Sequence, residues 1–132
     1  LKLLNKNMNT LNVPVSVGEL LDKLSILKIK SEKIKDKQKL LHVINEFDLI
    51  ENISTDFLII QSVSFHFQDL YEVNKKLWDI EERIRVKERS GEFDSEFIEL
   101  ARNVYLTNDY RFNLKNKINE ITNSVIKEQK SY

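Results

Sequence analysis

Several polar residues fall where a helix of this chain would otherwise present an unbroken apolar stripe, and chemistry could start from those positions. Stepping by three or four from Phe67 gives Leu70, Asn74, Leu77, Glu81, Ile84 and Glu88. The same step from Val104 gives Asn108, Arg111 or Phe112, Lys115 and Ile118, while Lys28 and Ser31 continue the stripe of Leu20, Leu24 and Leu27. A charge on such a stripe must find a partner or line a wet cavity, because burying it alone is costly. Two readings compete. In the leading one, Glu81, Arg85, Arg111 and Lys115 form ion pairs near the ends of a helical bundle and fix its register. In the other, Lys28, Arg111 and Lys115 converge with Asn74, Glu81 and Asn108 on an anionic small molecule. Such a set could stabilise an anion or a charge-separated transition state electrostatically.

The motifs of better-defined chemistry are missing. The chain has no glycine-rich phosphate loop, no Gly-x-Ser-x-Gly, no His-Glu-x-x-His and no Glu-x-x-His. The last of these would define a carboxylate-bridged metal bundle. His42 and His66 fall on different predicted helices without ligand spacing, and the absence of cysteine removes disulfides and thiolate metal sites. No catalytic residue, metal or cofactor is therefore expected. A basic stripe for nucleic acid is also lacking: Arg111, Lys115, Lys117, Lys127 and Lys130 are diluted by Glu120 and Glu128.

A second feature is apolar. Phe57-Leu58-Ile59-Ile60, followed by Phe65, Phe67 and Tyr71, would reach all around a helix that needs only one buried face. Something must cover the remainder, either the N-terminal segment through Leu3, Leu4, Leu11 and Val13, or a second copy of the chain. A homodimer is the favoured expectation, with Phe57, Leu58, Ile59 and Phe65 at its interface; another protein partner is the other option. Trp78, beside Leu77 at the edge of its stripe, is expected in the core.

The elements that must position these residues are helices. Two glycines and one proline in 132 residues, with no Asn-Gly or Asp-Gly, leave no material for tight hairpins. Ser16 and Glu19 form a capping box that opens helix 1, and Asp36 caps helix 2. Ser54, Thr55 and Asp56 are cap-type residues ahead of the longest segment, about 56–90, which Gly91 ends in a left-handed cap; a bend is allowed near Ser62–Ser64. Asp94 caps helix 4. The fold expected is all-α, an antiparallel four-helix bundle with one long central helix (about 56–90). It comprises an extended N-terminal segment (1–15), the bundle (16–122) and a loosely packed C-terminal tail (123–132). Positive and negative charges balance at 21 each, so no global field favours nucleic acid or an anionic membrane. Locally, positions 19–39 carry seven lysines against four acids and positions 79–102 eight acids against five bases, faces that could pack together. With no apolar run near the roughly 20 residues of a membrane span, and a polar N-terminus, the expected location is cytoplasmic.

Certain blocks resemble a known family. Val15-Ser16-Val17-Gly18-Glu19-Leu20-Leu21-Asp22-Lys23-Leu24, Leu77-Trp78-Asp79-Ile80-Glu81-Glu82, Phe93-Asp94 with Phe97-Ile98-Glu99-Leu100-Ala101-Arg102, Asn108-Asp109 and Lys130-Ser131-Tyr132 are similar to those of a family of small, all-helical bacterial proteins without an established activity. That resemblance implies no substrate and no site residues. Helix 1 is also faintly similar to the opening helix of the all-helical chorismate mutases, yet those enzymes use arginines there and positions 17–35 hold only lysines. The functional expectation is a non-enzymatic interaction or assembly module that self-associates. The alternative is a small-molecule enzyme or binding protein using the charged cluster.

Overall fold

Three of the helices begin where a side chain can satisfy their free N–H groups. Ser16 Oγ accepts from the Glu19 N–H, Asp36 Oδ1 from Lys39 and Asp94 Oδ1 from Phe97, each at 3.0 Å. The computed structural model describes residues 10–132 and contains α1 (Val17–Lys33), α2 (Lys37–Leu58), α3 (Gln61–Ser90) and α4 (Ser95–Ile121), with no strand among the described residues. Gly91 ends α3 at φ +65°, where a side chain would be strained. The N-terminal residues Leu3 and Leu4 lie outside the described residues.

One boundary differs from the sequence expectation. Ser54-Thr55-Asp56 does not open α3 but lies within α2. The Ser54 hydroxyl donates back to the Ile50 carbonyl at 2.7 Å and Thr55 to Glu51 at 3.1 Å, so both serve the preceding turn instead of capping the next helix. The break falls at Ile59–Ile60, and the Ser64 hydroxyl ties the start of α3 back to the Leu58 carbonyl. Phe57 and Leu58 thus end α2 and pack on the core, while Ile59 and Ile60 occupy the turn. The four apolar residues do not encircle one helix, because two helices and a turn share them. At 30 residues α3 remains the longest helix described, about 45 Å.

The core joins Leu21 and Leu24 of α1 to Val63, Leu70, Val73 and Leu77 of α3 and to Leu114 and Ile118 of α4. Both α1 and α3 touch all the other helices, whereas α2 and α4 do not meet. A Cβ on Gly18 would run into the Lys115 carbonyl, so the missing side chain is what lets α1 approach α4 this closely. By contrast, α2 buries only Ser54 and leaves Leu41, Ile44, Leu49 and Ile53 largely exposed. The acids of 79–102 do not pair with the lysines of 19–39. Lys87 instead gathers Glu92, Asp94 and Glu96 within 3.2 Å, Arg83 bonds Glu96, and Lys23 bonds Glu46 of α2. Lys87 holds Asp94 and Glu96 below the usual carboxylate range and is itself raised, chiefly by Asp94. No helix among the described residues is long and apolar enough to cross a membrane.

Candidate functional site

Gly18, Asp22, Ser25 and Ile29 are spaced by four, three and four residues, so they share one edge of α1, and all are buried. Asp22 is 1% exposed. A carboxylate this far from water needs donors from every side, and α3 and α4 supply them. Asn74 Nδ2 donates to Asp22 Oδ1 at 2.9 Å and to Ser25 Oγ at 2.7 Å. From α4, Arg111 donates Nε to Asp22 Oδ1 at 2.8 Å and Nη2 to Oδ2, a two-pronged ion pair. The bond to Asp22 raises the guanidinium's proton affinity against the opposing pull of burial. Arg111 also donates Nη1 to Asn108 Oδ1 at 3.3 Å.

One turn further along α4, buried Lys115 donates to Glu19 at 2.7 Å and to Glu128 at 2.6 Å. Burial pulls its pKa down, but the bonds from Glu128 and Glu19 outweigh that and the net direction is up. Glu19 therefore faces α4 and not the Ser16 N–H, so the capping box has only its serine half. Asn119 Oδ1 accepts the Gly18 N–H at 2.7 Å, and its buried Nδ2 finds no partner among the described residues. The tail is anchored at three points: Ser124 Oγ accepts the Val17 N–H at 3.2 Å, Glu128 binds Lys115, and Lys130 reaches Asp109 at 3.3 Å.

Beside this network lies a cleft of about 470 Å³. Ile26, Ile29, Leu77 and Trp78 supply its apolar lining, and Asn74, Glu81, Glu82, Arg85, Asn108 and Arg111 its polar lining. Four of the six residues singled out on the stripes, Asn74, Glu81, Asn108 and Arg111, therefore share one cavity. Lys115 does not line it; it faces a neighbouring cleft of about 440 Å³ that shares Asn108 and Arg111. Lys28 is elsewhere, 4.4 Å from the centre of the Tyr71 ring. Tyr71 donates to Glu32, whose carboxylate pushes the phenol up to about 12, with burial adding to the effect. Glu81 meets Arg85 at 3.7 Å on the exposed rim. Trp78, expected in the core, is half-buried at the cleft wall because its indole N–H reaches Glu82 at 2.9 Å. Of the four residues expected at an oligomer interface, Phe57 and Leu58 face the core; Ile59 is 77% and Phe65 63% exposed. Leu11 and Val13 line a groove with Ile53 and Phe57, so part of the N-terminal segment does lie near this apolar surface.

Sequence reasoning missed Asp22, the centre of the network. Its signal was the small and polar line Gly18–Asp22–Ser25, hidden behind the stronger Leu21–Leu24–Leu27 stripe. Nothing in the local sequence marked Ser124 or Glu128, whose partners are about a hundred residues and 13 residues away respectively. Among the described residues no group of His, Cys, Asp and Glu could hold a metal ion.

The network can hold Arg111 rigidly at the wall of an amphipathic cleft, but its charge is already matched by Asp22. No curated protein and no solved structure matches the chain. One family model does, over residues 11–132, and its description is "Family of unknown function (DUF6165)". The chain belongs to that family.

Proposed function

We propose that this protein is an interaction module that self-associates through the outward face of α2 and the adjoining turn. The observation that carries this reading is that a 22-residue helix fully buries one residue and packs Phe47, Ile50, Phe57 and Leu58 partly against the core, yet leaves four large aliphatic side chains exposed. Charge placement supports a second copy as the occupant. Lys37 and Lys39 lie in the first turn of α2, and Asp48, Glu51 and Asp56 in its C-terminal half, the reverse of what the helix dipole favours. None of these five makes an ion pair among the described residues. A two-fold, antiparallel pairing that brings Ile44 against the partner's Leu49 also brings Lys37 to the partner's Asp56. The expected mass by light scattering is twice 15.7 kDa, and Ile44→Asp should give a monomer with unchanged helical content. Lys37→Glu should weaken the dimer and Asp56→Lys in the same chain should restore it. A wild-type chain that stays monomeric at about 100 μM, well above the dissociation constant of a dimer held by about 8 kcal/mol, overturns the reading.

A second reading, a small-molecule binding protein, is favoured by the shared cleft. A preformed cavity of this size with an apolar lining and convergent polar groups is the usual form of a ligand site. Pairing of Arg111 with Asp22 and of Lys115 with Glu19 and Glu128 argues against a purely anionic ligand, since each cation is already neutralised.

A further inference from the structure

Resting on the second reading, we propose that the cleft between α1, α3 and α4 takes a small zwitterion with an apolar body, carboxylate at one end and ammonium at the other. The two ends of the cleft differ in what they leave unsatisfied. At one end, Arg111 is held by Asp22 yet keeps further N–H groups, and the Asn108 side-chain nitrogen makes no bond within the described protein. Because the Asn108 oxygen accepts from Arg111, that nitrogen is free to donate alongside the guanidinium. This end offers donors and suits a carboxylate. Glu81 stands at the other end, seven residues from Asn74 along α3, or about 10 Å of helix. Its nearby cation, Arg85, is 3.7 Å away and mostly exposed. With Glu82 also lining this end and held by Trp78, the local balance is two carboxylates against one guanidinium, which suits an ammonium. Between the ends lie Leu77, Trp78, Ile26 and Ile29, with no charge among them. A ligand bearing only a carboxylate would leave the Glu81 end unmatched, and one bearing only an ammonium would leave the donors of Arg111 and Asn108 facing apolar material.

Trp78 is the chain's single tryptophan and lines the cleft, so its fluorescence reports occupancy directly. The experiment titrates the full chain with 6-aminohexanoate, hexanoate and hexylamine. The expected result is a saturable change with all three, tightest for 6-aminohexanoate by at least about tenfold, the worth of one added ion contact of roughly 1.4 kcal/mol. Glu81→Gln should remove that advantage while hexanoate binds no more weakly than to the wild type, a pattern that general loosening of the fold would not give. Equal binding of the three probes overturns the zwitterion and leaves the cleft as a binding site. No saturable change with any of them overturns both.

Discussion

At the scale of single residues, Asp22 and Arg111 decide what the charged cluster is for. Removing one partner of a buried pair leaves the other charge stranded, which costs about 3–5 kcal/mol. Arg111→Met should therefore destabilise the protein by about that amount, measured by urea unfolding. The double substitution Asp22→Leu with Arg111→Met should return most of the loss, since a buried pair replaced whole by apolar groups is often close to neutral. If Arg111→Met stabilised the chain instead, the guanidinium would be held under strain for a ligand and not for the fold. This site was half legible in the sequence. Asn74, Glu81, Asn108 and Arg111 could be picked out because polar residues interrupt apolar stripes. Lys28 and Lys115 were misassigned to the same cavity because a stripe reports a helix face, not the height at which a long side chain ends. Lys28 bends over Tyr71, and Lys115 is drawn toward Glu128, which no periodicity connects to it.

At the scale of elements, the caps were the most legible part of the chain, because a cap is a local interaction between residues three apart. Ser16, Asp36, Gly91 and Asp94 all stand where the residue types put them. The α2–α3 boundary was not legible for the opposite reason. Ser54 and Thr55 can bond forward as caps or backward as helix residues, and the packing of Phe57 and Leu58 on the core decides between the two. The approach of α1 to α4 rests on Gly18 and gives a prediction against propensity. In an isolated helix Gly→Ala gains about 1 kcal/mol. Here Gly18→Ala should lower the stability by about 1–3 kcal/mol, because the new methyl group collides with the Lys115 carbonyl and α4 has to shift. Thermal unfolding settles the sign, and a raised Tm would mean that the two helices have room to part.

At the scale of the whole molecule, the two outer elements differ in how they are held. The tail is fastened to the bundle by Ser124, Glu128 and Lys130, so deleting residues 124–132 should lower stability by about 1–3 kcal/mol, the penalty for leaving the Lys115 ammonium short of a partner. An unchanged Tm would mean that these contacts exchange freely with water. The other outer element, α2, is held on one side only, and there the self-association proposed above would add its contacts. The same long-range bonds also bear on the order in which the fold can be completed during synthesis. Asp22 leaves the ribosome 89 residues ahead of Arg111, and the Gly18 N–H leaves 101 ahead of Asn119. At about 5–20 residues per second, α1 waits on the order of 5–20 s for the groups that neutralise and cap it. For that interval α1 carries the Asp22 carboxylate on its future inner edge without the guanidinium that will neutralise it. The polar seam between α1 and α4 is thus completed only once α4 has been made, well after α2 and α3 can begin to cover the apolar face of α1.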